Sequence, residues 1–221
     1  MPRTARAAVG GICYHVINRG NARGEVFHKP EDYAAFCRLL QEAADRVRMR
    51  VVAYCLMPNH FHLALWPRQD GDLSRFMQWL LTAHVRRYHR HYWSGGHVWQ
   101  GRFKAFPIQQ DDHLVTVLLY IERNPLRAGL VDRADDWLWS SLRGRETKGG
   151  VPVVVFPVPL PRQWARWVNE PMTDAEVESL RRSVNRGMPF GTEAWTRRVA
   201  NRLGLEASLR PRGRPPKTAR T

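Results

Sequence analysis

The sequence predicts an α+β domain, an antiparallel sheet with helices on one face, followed by a C-terminal helical extension. Two observations carry this. Short β-branched and aromatic runs alternate with longer stretches in which apolar residues recur at intervals of three and four. The elements so marked follow in the order strand, helix, strand, strand, helix, strand, helix, an order that suits the ferredoxin-like arrangement.

Residues 1–11 are small and basic, with Arg3 and Arg6 ahead of Gly10-Gly11, and read as a flexible arm. Residues 12–18 (ICYHVIN) are β-branched and aromatic and end in the turn signal Arg19-Gly20-Asn21, which makes them the first strand. Between residues 31 and 48, Ala35, Phe36, Leu39, Leu40, Ala43 and Val47 mark one face of an amphipathic helix. Residues 51–56 and 60–65 are the second and third strands. Met57-Pro58-Asn59 interrupts the apolar run between them, and because proline cannot donate to a central ladder, the segment reads as a tight antiparallel link.

A turn at residues 69–72 opens a helix over 73–91, with Phe76, Met77, Leu80, Leu81, Val85 and Tyr88 inward and Arg75, Arg86, Arg87 and Arg90 on the other face. After Gly95-Gly96 come VWQGRFK (98–104) and a fourth strand ending near Gln109. Asp111-Asp112 caps the next helix, which runs through Leu114, Val117, Leu118 and Ile121 until Pro125 ends it.

Charge points to the partner. Thirty-five Lys and Arg against 20 Asp and Glu leave a net +15 over 221 residues, with Arg dominating the excess. That is an electrostatic footprint for phosphate backbones, and guanidinium recognises phosphate bidentately. With 43% hydrophobic residues and nine tryptophans, the chain is more than a disordered basic tail. Cys13, Cys37 and Cys55 lack any C-x-x-C pairing and read as free core thiols in a reducing compartment. No stretch of about 18 apolar residues is present, so no membrane partner is expected.

The chemistry gathers at residues 55–66, CLMPNHFHLALW. In a strand, His60 and His62 point to one face while Phe61 and Leu63 point to the other. Two neutral imidazoles on one sheet face can grip a divalent metal if another element supplies the remaining ligand. The last helix of the domain offers Tyr120 and Asn124, four residues apart and one turn along the same face. A phenol, with a pKa of about 10, is a poor nucleophile unless something polarises its target or stabilises the phenolate. A metal held by His60, His62 and the Asn124 amide oxygen would let Tyr120 attack phosphorus in line. Taken singly, Tyr120 also reads as an aromatic at the core edge and Asn124, before Pro125, as a helix C-terminal cap.

These residues lie in a pattern that resembles the HUH endonuclease superfamily, specifically the single-tyrosine transposases of the insertion-sequence type, and most closely the REP-associated tyrosine transposases. The matching stretches are YHVINRG (14–20), MPNHFHL (57–63), WQGRFK (99–104) and YIERNPLRAGLV (120–131). The resemblance spans residues 12–142, taken as the catalytic domain, and implies His60 and His62 as metal ligands and Tyr120 as the nucleophile. Asn124 stands where related enzymes carry a glutamine, one methylene longer. The implied activity is cleavage and rejoining of single-stranded DNA beside a hairpin, through a 5′-phosphotyrosine link and with Mg²⁺ or Mn²⁺ as cofactor. Arg19, Arg102, Lys104 and Arg127 are the expected DNA contacts in this domain. The implied setting is the bacterial cytoplasm, at the nucleoid, with a monomer favoured over a homodimer; a non-catalytic binder of hairpin DNA or RNA is the competing reading.

Beyond the domain, residues 143–170 are rich in Gly, Pro and Val and read as a linker or docked extended segment. Residues 171–206 form a helical accessory region opened by the capping box Thr173-Asp-Ala-Glu176, either a partial helix-turn-helix or a plain helical hairpin. The tail, 207–221, carries Arg210, Arg212, Arg214 and Lys217 around Gly213 and Pro215, in the manner of a minor-groove AT-hook or of a solvated basic tail.

Overall fold

The computed structural model describes residues 8–146, 151–153 and 158–210. Four strands, β1 (Cys13–Arg19), β2 (Arg50–Met57), β3 (His60–Trp66) and β4 (Lys104–Ile108), form one sheet in the order β2-β3-β1-β4. Every pairing is antiparallel. Helix α1 (Pro30–Val47) crosses from β1 to β2, and α2 (Asp72–Tyr92) from β3 to β4. This is the α+β architecture expected from the sequence.

Side-chain alternation sorts the sheet into two apolar faces. Tyr14, Val16, Phe61, Leu63 and Leu65 join Phe36 and Leu40 of α1 and Phe76 and Leu80 of α2 in one core. Cys13, Cys55, Ala64, Phe106 and Ile108 turn the other way, against Leu114, Val117, Leu118 and Ile121 of α3 (Asp112–Glu122). The two crossover helices therefore share a face, and α3 covers the opposite one. The single-face expectation does not extend to this third helix, and the reason is legible in β2. Its run of buried residues from Val51 to Met57 is the mark of a strand covered on both sides rather than an alternating half-exposed one. A register shift between Val51 and Ala53 lets Val52 and Ala53 both pack on the α3 side.

Both edges of the sheet are covered by the chain itself. Along β2, the Leu56 N–H donates to the Trp139 carbonyl (2.9 Å) and the Trp137 indole to the Leu56 carbonyl (2.9 Å). Along β4, Phe190 donates to Pro107 and accepts from Gln109, each at 2.9 Å. Unpaired edges invite pairing with another chain, and these segments remove the invitation. Gly191 permits the second of them, since a Cβ there would lie 2.6 Å from the Gln109 side chain.

Across the expected start of the linker runs α5 (Ser141–Glu146), and within the linker lies α6 (Trp164–Asn169), both pinned to α3 by one carboxylate. Glu122 is fully buried and accepts from the Ser141 hydroxyl, from Arg145 Nε (3.1 Å) and from the Trp164 indole (2.5 Å). A buried charge is tolerable only when so compensated. Residues 174–209 form three further helices, α7 (Asp174–Arg186), α8 (Glu193–Leu203) and α9 (Glu206–Leu209). The Thr173–Glu176 capping box opens α7 as expected. Cys13 and Cys55 are buried and Cys37 partly so, all three as free thiols. Among the described residues no helix is long and apolar enough to cross a membrane.

His84 of α2 is buried amid the rings of Phe27, Phe36, Tyr88 and Trp99. Burial pushes its pKa down to about 3. A base whose folded pKa is depressed favours folding while neutral, so its contribution is complete above the unfolded value of about 6.5 and erodes as pH falls below it. His84→Phe is expected to flatten the loss of unfolding free energy between pH 6.5 and 5, by up to about 1.4 kcal/mol per pH unit. An unchanged slope in calorimetric scans would show that His84 does not carry it.

Candidate active site

The β2–β3 turn sets the first histidine. Asn59 Nδ2 donates to the Arg23 carbonyl (3.0 Å), which turns its amide oxygen toward His60 Nδ1 at 2.6 Å. An amide oxygen only accepts, so His60 carries its proton on Nδ1 and keeps a lone pair on Nε2. His62, two residues along β3 on the same face, is 4% exposed, with ring centroids 5.0 Å apart. Its Nδ1 lies 2.9 Å from Nε2 of His15 on β1, and the sense of that hydrogen bond sets which nitrogen of His62 carries the proton.

Burial is the first cause that holds both histidines neutral, reinforced by Arg19 and Arg127. His60 is pushed down to about 4, and His62 well below the ordinary imidazole value, with His60 and His15 also contributing. Neutral imidazole is the form that ligates metal.

Tyr120 comes from the last turn of α3, buried to 6% exposure, its ring 5.8 Å from that of His62 and 6.1 Å from that of His15. The Arg127 guanidinium lies 4.7 Å from the centre of the Tyr120 ring and reaches its hydroxyl at 3.4 Å.

Helix α3 stops at Glu122, and the chain turns at Arg123 into a short helix, α4 (Asn124–Arg127), with Pro125 in its first turn. The proline therefore starts a new turn where the sequence suggested a stop. It lacks the N–H that would have met the Ile121 carbonyl. Asn124 compensates: its Nδ2 donates to the carbonyls of Tyr120 (2.7 Å) and Ile121 (3.3 Å). Its Oδ1 accepts from Arg127 at 2.6 Å. The structure thus brings His60, His62 and Tyr120 to one place, while the Asn124 oxygen is engaged by Arg127, the residue that also reaches the Tyr120 hydroxyl. Among the described residues, no group of three or more His, Cys, Asp or Glu side chains could hold a metal ion. The two imidazoles, neutral and each held at its far nitrogen, suit a divalent cation whose other positions are filled from elsewhere.

The expected DNA contacts divide. Arg19 pairs across the ladder with His60, and Lys104 with Ile17. With Arg102, Asn18 and Gln100 they line a cavity of about 330 Å³ against α7. No described acidic group forms an ion pair with Arg19, Arg102 or Lys104. A second groove of about 910 Å³ shares Arg102 and runs between α2 and the 96–103 loop, floored by Trp99 and Phe103. Arg127 stands at the tyrosine instead. Arg210 follows α9, its carbonyl accepting from Arg186, and Arg212, Arg214 and Lys217 lie outside the described residues. Sequence reasoning missed His15, Asn59 and the placement of Arg127 on Tyr120. His15 carried a signal in its strand alternation, but the partner it meets depends on the β1–β3 register.

Residues 8–124, more than half of the chain and including His60, His62, Tyr120 and Asn124, match the family model described as Transposase IS200 like. The chain belongs to this family. Among the relatives of this IS200-like transposase, a REP-associated tyrosine transposase of Haemophilus influenzae is 27% identical over 121 residues, 50% of this chain and 68% of that one. A second, from Escherichia coli, is 22% identical over 148 residues, covering 65% and 84%. A solved structure of a REP-associated tyrosine transposase bound to a REP hairpin overlays with a TM-score of 0.53 at 21% identity, covering 69% of this chain and 89% of that one, and shares the fold.

The bracket formed by Asn124 has a measurable consequence. Asn124→Ala leaves the Tyr120 carbonyl short of a donor at a buried helix break and is expected to cost about 1–3 kcal/mol. Urea denaturation reads this directly, and a midpoint equal to that of the unaltered protein would mean the bracket is structurally idle.

Proposed function

We propose that this IS200-like transposase is a metal-dependent transesterase that nicks and rejoins single-stranded DNA beside REP-type hairpins, with Tyr120 as nucleophile. The observation that carries the reading is the Tyr120 phenol standing against two neutral histidines on one sheet face and capped by a guanidinium. His60 and His62 would hold Mg²⁺ or Mn²⁺ through Nε2, and the bound ion would polarise the scissile phosphate. Asn124 Oδ1 would become the third ligand once a DNA phosphate draws Arg127 away from it.

Tyr120 then gives up its proton to solvent as it attacks. The Tyr120 oxygen bonds to phosphorus as the P–O3′ bond breaks, and the departing oxygen takes up a proton as a free 3′ hydroxyl. Because one phosphodiester replaces another, the step reverses without a nucleotide cofactor. Arg19, Arg102 and Lys104 offer phosphate contacts along the route from the site. Covered sheet edges favour action as a monomer, on chromosomal DNA in the bacterial cytoplasm.

One observation favours the rival reading of a non-catalytic hairpin binder, namely that the Asn124 oxygen is already engaged. Chemistry separates the two. Protein, Mn²⁺ and single-stranded hairpin DNA should yield a denaturation-resistant adduct, and Tyr120→Phe should yield none. An adduct from the phenylalanine variant would remove Tyr120 as nucleophile, and no adduct from either protein would favour the binder. His60→Ala is expected to retain hairpin affinity in gel shifts while cleavage falls at least a hundredfold; joint loss would make the pair structural. Because His60 stays neutral down to about 4, Mn²⁺ affinity should hold from pH 7.5 to 5.5 and fail only as pH drops toward that value. A decline starting near pH 6.5 in calorimetric titrations would show an ordinary, solvated imidazole.

A further inference from the structure

We propose that His15 is the positioning residue of this site: it accepts the Nδ1–H of His62 and thereby commits His62 to ligation through Nε2. The inference rests on the reading that His60 and His62 hold a divalent cation, and it adds a residue outside that pair. His15 is fully buried on β1, two positions from the Ile17 that pairs with His62, so the two rings are diagonal neighbours on one sheet face. The rings stack at 5.1 Å with their planes 25° apart, and their nitrogens meet at 2.9 Å.

The direction of that hydrogen bond decides whether His62 can ligate. A neutral imidazole has one proton and one lone pair on nitrogen. Were His15 Nε2 the donor, the single proton of His62 would sit on Nε2 and block the ligating atom. Ligation therefore requires the opposite sense, with His62 Nδ1–H donating and His15 protonated on Nδ1.

That arrangement carries a visible cost. His15 Nδ1 is buried and finds no hydrogen-bond partner among the described residues. A packing residue alone would do better as an apolar ring, because Phe106 lies edge-on at 4.9 Å and Tyr120 at 6.1 Å. The nitrogen that does have a partner, Nε2, faces His62. The site is thus symmetrical in its logic, with Asn59 holding the far nitrogen of His60 and His15 that of His62. Outer partners of ligating histidines typically carry about 10–100-fold in metal affinity.

The test uses the full chain and Mn²⁺ followed by electron paramagnetic resonance. His15→Phe keeps a ring in the space and removes the acceptor, and His15→Gln returns an acceptor near the Nε2 position. The expected result is Mn²⁺ binding weakened about 10–100-fold in the phenylalanine variant and largely restored by glutamine. Two nitrogens should coordinate in the unaltered protein, and hairpin affinity without metal should be equal in all three. Equal Mn²⁺ affinity for His15→Phe would overturn the proposal. So would a third coordinating nitrogen that disappears with His15, which would make it a ligand, or parallel loss of hairpin binding in both variants, which would make it core packing. If His62→Ala binds Mn²⁺ as tightly as the unaltered protein, the two-histidine reading fails first and this inference falls with it.

Discussion

The ladder between β1 and β3 sets every distance in the site. Ile17 stands opposite His62 and Arg19 opposite His60, which places His15 diagonally across from His62 and a guanidinium beside His60. A slip of one residue would turn His15 into the α1–α2 core and bring Tyr14 or Val16 to its place. What resists the slip is the apolar pattern on both faces. Phe61, Leu63 and Leu65 must meet α1 and α2 while Ala64 and Cys13 meet α3, and no other register buries both sets. The chemistry is held by packing that has no part in it.

Burial then shapes the electrostatics. In water these imidazoles would be partly charged near neutral pH; against α3, under the charges of Arg19 and Arg127, they stay neutral. The break between α3 and α4 serves the same place. Pro125 removes one backbone donor, Asn124 supplies a side-chain donor in compensation, and the turn that results carries Arg127 back over Tyr120. A helix continued through residue 124 would be an ordinary scaffold, whereas the broken one delivers a cation to a phenol.

The C-terminal third completes the domain. Glu122, two residues beyond Tyr120, accepts hydrogen bonds from two segments far along the chain and so ties α5 and α6 to the helix that bears Tyr120. The strand-like segments at Trp139 and Phe190 close the two edges of the sheet. Composition made residues 143–170 look like a linker because Gly, Pro and Val dominate there. The anchors within it, Arg145 and Trp164, are single residues whose value exists only opposite a buried carboxylate.

The sequence by itself determined the element order, the antiparallel hairpin at Pro58, the pairing of His60 with His62 on one face, and the placing of Tyr120 and Asn124 one turn apart. Those are consequences of period and local sterics, which act over a few residues and can be read along the chain. Tertiary structure alone decided that α3 lies on the opposite face from α1 and α2, that His15 meets His62, that Asn59 orients His60, and that Arg127 engages both Asn124 and Tyr120. Each joins residues through strand register, a turn's exact path or a broken helix. Such contacts depend on how both faces of the sheet are buried at once, a condition no local pattern records.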